Sequence, residues 1–305
     1  MMRVAHGHPE IACATERTDL RARAGLREAK DAMATVMFGA AVVVVAVPLA
    51  LVVWALIERG AHVAFESFPA FFTQEIPVVS RRPGPGMGPA ILGTLLVTGG
   101  GTLIAVPLGI LGAVYLNEYG GVSRFARAVR FTAMVMTGVP SIVMGLFVYI
   151  GWTVHFGFSA FGGALALACL MVPVVIGSTE QMLRLVPEAL REAAYALGAT
   201  KSRVIVTVVL PAALPGIVSG SLLAVARAAG ETAPLLFAVG AATSFNIDFL
   251  GGANTALPVQ IFDNATSVFV GAQDRAWGAA FTLVLVTFLV TLGARFFALR
   301  SALQR

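Results

Sequence analysis

Charge is scarce in this chain. Of its 305 residues, 12% are Asp, Glu, Lys or Arg, where soluble domains carry roughly 25%. That shortage, with 58% hydrophobic residues and a mean hydropathy of +0.86, excludes an ordinary soluble domain and points to several membrane spans. Cysteine is nearly absent. Cys13 stands in a polar tail and Cys169 in an apolar run, so they build no disulfide framework and fix no redox compartment. The histidines, His6, His8, His62 and His155, scatter over tail and outer loops without grouped carboxylates or cysteines, and no metal site is expected. The only lysines are Lys30 and Lys201. Neither follows a glycine, so the Gly-Lys pair of a phosphate-cradling nucleotide loop is missing, and ATP hydrolysis, if coupled, belongs to a separate subunit. No nucleophile–base arrangement stands out, and the chain is not read as an enzyme. Residues 1–31 are polar, without an apolar centre, so no cleavable signal peptide is expected.

What is present is apolar length. A spanning helix takes about 20 apolar residues, and six candidates appear, over 32–57, 87–116, 131–154, 159–177, 211–240 and 276–294. The pattern reads as an all-α membrane protein of six spans, with a polar tail over 1–31 and a membrane domain over 32–305. Basic residues orient it. Sixteen of the 21 lie in the tail, in the second-to-third and fourth-to-fifth loops and at the C-terminal end. Four lie on the other side: Arg59, Arg81, Arg82 and Arg275. Basic loops favour the cytoplasm, so both termini are expected there. The net charge of +5 follows from this asymmetry and implies no nucleic-acid partner. Long outer segments over 58–86 and 241–275 read as linker combined with a docking surface for an external protein.

The loop over 178–210 is not linker-like. Pro187 suits the first position of a helix and Gly198 the position past its end. Leu190, Ala193, Ala194 and Leu197 then share a narrow face, with Glu188, Arg191 and Glu192 elsewhere on the surface. By residues alone, that face fits either a partner's groove or the protein's own bundle. The run Glu192-Ala193-Ala194, three residues, Gly198, nine residues, then Val208-Val209-Leu210-Pro211 resembles the coupling loop of ABC importer permeases, with Val208 where isoleucine is usual. "GTLIAVPLGILGAVYLNEYGG" over 101–121, "GVPSIVMGLFVYI" over 138–150 and "ARAAGETAPLL" over 226–236 are similar to segments of phosphate-importer permeases of the PstA type. Gly177 stands where many of them carry a basic residue. The resemblance implies a type I ABC importer permease fold in the cell membrane. It implies inorganic phosphate as cargo, moved inward by alternating access. It implies as partners a second permease, two ATPase subunits that carry the ATP and Mg, and an extracytoplasmic phosphate-binding protein. It also implies that Glu192, Ala193, Ala194 and Gly198 form the ATPase contact. Sulfate, molybdate or tungstate is an alternative cargo, and a phosphate-status sensor without transport is an alternative role. An ATP-independent carrier would have no use for the Glu-Ala-Ala loop.

Within the fifth span stand Arg227 and Glu231. Counted from Pro211, Arg227 is sixteen residues in, about 24 Å along the axis, which places it in the middle region of the bilayer. A lone central arginine costs about 2.5–3.5 kcal/mol on insertion scales, and Glu231, one turn farther on the same face, offsets part of that. A structural ion pair is the plain alternative. Function is favoured because an arginine fork matches phosphate oxygens. Pro234 weakens the helix near Gly230, and a restart at Thr232 would turn free N–H groups toward an anion. Arg227, Glu231 and Thr232 are therefore the expected pathway residues, Arg227 as a stepping stone and Glu231 preventing too tight a grip. The other glycines and prolines, among them Gly99, Gly100, Gly101, Pro107, Pro140, Pro173, Pro215 and Gly216, read as close packing and kinks rather than gates.

Overall fold

A computed structural model describes residues 20–78 and 86–303, and all regular structure there is helical. The expected tail over 1–31 lies outside the described residues as far as 19, as do Arg81 and Arg82. The chain divides into two units, one ending at Trp54 and the other beginning at Ala55. The first unit is built by α1 (Leu20–Ala55). That helix begins well before the apolar run, so the end of the expected tail is helical. The stretch Lys30–Glu66 is apolar enough to cross a membrane, which includes the first expected span.

The second unit begins with a π-helical turn, Leu56–Ala61, and the short α2 (His62–Glu66) and α3 (Ala70–Thr73). The long elements are α4 (Gly88–Val114), α5 (Arg124–Gly138) and α6 (Ser141–Val148). After the one-turn α7 (Val154–Phe156) come α8 (Ala160–Arg184) and α9 (Glu188–Ala196). Then follow α10 (Lys201–Val204), α11 (Leu210–Ala229) and α12 (Ala233–Ala238). The unit closes with α13 (Leu257–Ala265) and α14 (Val270–Leu303). Further π turns over Tyr115–Tyr119, Tyr149–Thr153 and Ile205–Val209 extend α4, α6 and α10.

The centre is the packing of α4 on α8. Gly93, Val97, Gly101, Ala105, Gly109 and Ala113 are all buried on α4 and recur every four residues, so they form one ridge. Small side chains let the backbones approach. A Cβ on Gly101 would lie 3.1 Å from the Ala164 carbonyl oxygen, and one on Gly109 would lie 2.6 Å from a Val175 methyl carbon. From α8, Gly163, Leu167, Met171 and Val175 are buried in the same four-residue rhythm. Dispersion over this long seam replaces the hydrophobic effect that lipid cannot supply between helices.

Two expected spans are interrupted. The third, expected over 131–154, is split between α5 and α6, bent by 109°. The residue before a proline is pushed out of the helical region, and Val139, before Pro140, has φ −70°, ψ 130°. The fifth, expected over 211–240, starts earlier and stops earlier: the apolar helical stretch is Lys201–Ala229. Pro234 has no N–H to give the carbonyl of Gly230, and its ring crowds that carbonyl. Gly230, Glu231 and Thr232 are consequently non-helical before α12 begins. Arg227 thus stands in the last turn of α11 rather than in the middle of a continuous helix. Among the described residues, five helical stretches are long and apolar enough to span unbroken, six with the bent pair counted as one.

Candidate functional site: a cavity between two helix breaks

The two interruptions meet. Gly145 of α6 abuts Pro234 of α12, and the rings of Tyr149 and Phe237 stand 6.3 Å apart. Beside this contact lies a cavity of about 300 Å³. Met136, Thr137, Val139, Pro140 and Ser141 line it from the first break. Leu170, Met171 and Val174 of α8 form its back, and Ala224, Arg227 and Ala228 of α11 with Glu231 complete it. Non-helical backbone at membrane depth is tolerated where it borders protein or a wet cavity, which is the arrangement here.

Arg227 is not sealed among apolar groups. Its side chain is 74% exposed while that of Glu231 is 22% exposed. Arg227 Nε lies 3.7 Å from Glu231 Oε1. That distance balances charge but is beyond a hydrogen bond, so it leaves the guanidinium N–H groups for another acceptor. A planar fork with free donors binds a tetrahedral oxyanion through two oxygens. Glu231 places a carboxylate beside that fork and lowers the net charge of the cavity wall.

Thr232, expected with this pair, does not line the cavity. It precedes α12, and its carbonyl accepts hydrogen bonds from the N–H groups of Leu235 and Leu236. The helix does restart where Pro234 predicted. Yet α12 has six residues, under two turns, and the positive charge at the cavity is supplied by Arg227. Sequence reasoning missed Thr137 and Ser141, two polar residues that line the cavity. Their signal was Pro140 between them, which was read as a kink alone. The Thr137 hydroxyl donates to the Met134 carbonyl at 2.6 Å.

The loop helix forms as expected over Glu188–Ala196, with Pro187 just before it rather than in its first position. Gly198 takes φ +79°, a backbone conformation that favours glycine at the end of a helix. The orientation of the helix separates the two readings of its apolar face. Leu190 is 47% exposed and Leu197 is 89% exposed, whereas Arg191 is 8% exposed. Glu192 and Ala193 are exposed and Ala194 is half-buried. Leu190 and Leu197 therefore point away from the bundle, Ala194 packs against it, and the Arg191 charge points into it. Arg191, expected on the surface, is buried because it has partners there. Its Nη1 donates to Glu118 Oε1 at 2.6 Å and its Nη2 to the Leu183 carbonyl at 3.0 Å. Glu118 also accepts from Asn117 Nδ2 at 2.8 Å, and Lys201 Nζ donates to the Glu118 carbonyl. Nearby, Arg130 Nε pairs with Glu180 Oε1 at 2.9 Å, and Arg130 Nη2 donates to the Leu116 carbonyl at 2.8 Å.

Comparison with known proteins gives the family and the fold. The profile of a family described as binding-protein-dependent transport system inner membrane component matches residues 105–304. The chain is 44% identical over 280 residues to phosphate transport system permease protein PstA 1 of Mycobacterium tuberculosis (strain ATCC 25618 / H37Rv), covering 90% of each chain. It is 41% identical over 270 residues to phosphate transport system permease protein PstA of Yersinia pestis, covering 86% of each. Among solved structures, it is similar to a chain of the inward-facing MetNI methionine ABC transporter, with TM-score 0.54 and 21% identity over 70% of this chain and 93% of that one. It also matches a chain of a bacterial ABC transporter involved in the import of the acidic polysaccharide alginate, with TM-score 0.59 and 16% identity over 92% and 99%. These structural likenesses establish the fold.

Proposed function

This chain belongs to the binding-protein-dependent transport system inner membrane component family, and on that premise we propose that it is the membrane-spanning permease subunit of an ATP-driven importer of inorganic phosphate. The cargo is supported by the 44% identity with a phosphate transport permease over nine tenths of the chain. The chain itself moves cargo rather than catalysing a reaction. ATP and Mg belong to separate ATPase subunits, and an external phosphate-binding protein delivers the anion.

One observation carries the site: the Arg227 guanidinium faces a cavity at the meeting of two broken helices, with its charge balanced by Glu231 but its N–H donors free. Phosphate near neutral pH carries one to two negative charges. One arginine cannot neutralise a dianion, so the pathway lies between this chain and a second permease that supplies further cationic groups. The exposure of Arg227 supports this, because a charge shown outward in one subunit is covered when the other seats against it. Thr137 and Ser141 line the same cavity. Small-residue seams and helix breaks of this kind suit alternating access, in which one set of helices rocks on another.

The loop over 178–210 is the coupling segment, and Glu192, Ala193, Ala194 and Gly198 lie in its ATPase contact. The outward-pointing Leu190 and Leu197 of α9 are the support for that. ATP binding draws the α9 helices together and opens the pathway toward the binding protein, and hydrolysis resets it. The direct test is ATP-dependent phosphate uptake in vesicles, with sulfate, molybdate and tungstate as competitors. Uptake that phosphate does not saturate, or that another oxyanion outcompetes, reassigns the cargo. A complex that binds phosphate and never moves it is a sensor.

A further inference from the structure

The buried charges behind α9 touch neither the Arg227 cavity nor the outward docking face. From their connectivity we infer that Glu118, Arg191, Arg130 and Glu180 are positioning residues that relay movement of α9 to the wall of the Arg227 cavity. This rests on the reading of α9 as the ATPase-docking helix.

The relay is continuous on one short turn. The π turn Tyr115–Tyr119 at the end of α4 receives the Arg191 guanidinium through the Glu118 carboxylate. Two residues earlier, the same turn receives the Arg130 guanidinium through the Leu116 carbonyl. Arg191 also holds the Leu183 carbonyl, and Arg130 holds Glu180, so both guanidinium groups bridge that turn to the last turns of α8. Displacing α9 therefore pulls on α4, α8 and α5 together. Arg130 lies within α5, and Met136 and Thr137, farther along the same helix, line the cavity. Six or seven residues of helix separate them, about 10 Å at 1.5 Å per residue. A helix transmits push over that length, and α5 ends at the Val139–Pro140 break, where the chain turns by 109°.

Burial explains why the joint is ionic. The side chains of Arg191 and Glu118 are 9% and 6% exposed. A buried pair of this kind is often no more stable than well-packed apolar residues of the same volume. What it adds is direction: each guanidinium bond fixes the angle as well as the distance, so α9 cannot slide along the bundle without carrying Glu118 with it.

The test uses the assembled importer, both permeases with their ATPases, in proteoliposomes. A cysteine placed by Thr137→Cys, with Cys13→Ala and Cys169→Ala, reports access to the cavity wall through its rate of modification by a charged, water-soluble thiol reagent. With a non-hydrolysable ATP analogue, the rate is expected to change about tenfold, within the usual range for coupled sites. Glu118→Gln, Arg191→Gln and the double variant are then compared. A relay through the pair predicts that all three lose the nucleotide response, the double no more than either single. The double variant buries no unpaired charge and recovers thermal stability, which separates transmission from folding. If the double variant recovers the response along with stability, the pair is a structural staple and the inference is wrong. It is equally wrong if Glu118→Gln responds as the parent does, or if the parent shows no nucleotide response. The transport reading fails separately: a parent complex with an intact nucleotide response that takes up no phosphate refutes the cargo and leaves the relay standing.

Discussion

Gly145 of α6 rests so closely on Pro234 of α12 that a Cβ on the glycine would lie 2.6 Å from the proline Cα. This contact fixes the two helix breaks to each other and so sets the width of the cavity between them. Gly145→Val forces α6 away from α12. Overpacking costs about 1–3 kcal/mol, and a lower Tm of the purified complex together with reduced phosphate uptake is the expected outcome. Unchanged uptake would show that the spacing of the breaks does not matter to transport.

Arg227→Gln removes the positive charge offered to an anion among the residues that line this cavity and leaves a shorter, neutral polar side chain. Hydrogen bonds to charged groups contribute about 1.5–3 kcal/mol, so uptake is expected to fall at least tenfold with the subunits still copurifying. Arg227→Lys keeps the charge without the planar fork and should fall between the two. Retained uptake in the glutamine variant would remove Arg227 from the pathway.

Glu231→Gln should act in the opposite sense on binding. Without the carboxylate beside the guanidinium, an anion is held more tightly and released more slowly. Lower KM for uptake with lower kcat is the expected split. A parallel loss with unchanged KM would mean that Glu231 serves only to orient Arg227.

Glu192 is exposed on a helix whose Leu190 and Leu197 point outward. Glu192→Lys should leave stability within about 0.5 kcal/mol, as for other surface changes. It should nevertheless weaken copurification of the ATPase and suppress uptake. Full ATPase binding and uptake in this variant would argue that the contact lies elsewhere.

Glycines of α4 supply a matched pair of substitutions. A Cβ on Gly93 would lie 1.8 Å from the Thr255 carbonyl oxygen, whereas one on Gly99 meets nothing within 4 Å. Gly93→Ala should sharply reduce the yield of folded protein. Gly99→Ala should be neutral or stabilising, since alanine favours a helix by roughly 0.5–1 kcal/mol over glycine. Equal effects, measured as detergent-solubilised yield and Tm, would contradict the close packing of α4 against the Asn254–Thr255 segment.

The spans were readable because long apolar runs between charged loops have few folds open to them. The loop helix was readable for a local reason: Pro187 and Gly198 bracket it. Pro234 announced the weakness near Gly230, and α11 ends at Ala229 beside it, short of the expected span end at 240. The earlier start of the stretch at Lys201 lies among polar residues, where apolar content does not mark it. Pro140 illustrates a different limit. A proline says that a helix bends, and only the fold says by how much and toward what, so Thr137 and Ser141 went unnoticed. Arg191 was misplaced on the surface because its partner Glu118 lies 73 residues away in sequence. No local pattern records a pairing at that range.

The α4 side of its seam with α8 consists of glycine, alanine and valine, short side chains with few rotamers to change. Backbones this close resist sliding, so the two helices travel together. Bending is then easiest at the two breaks on either side of Arg227, where the chain already departs from the helix. A change in stiffness at Gly230 or Thr232, neither of which lines the cavity, should retune the rate of turnover while leaving the charge offered by Arg227 in place.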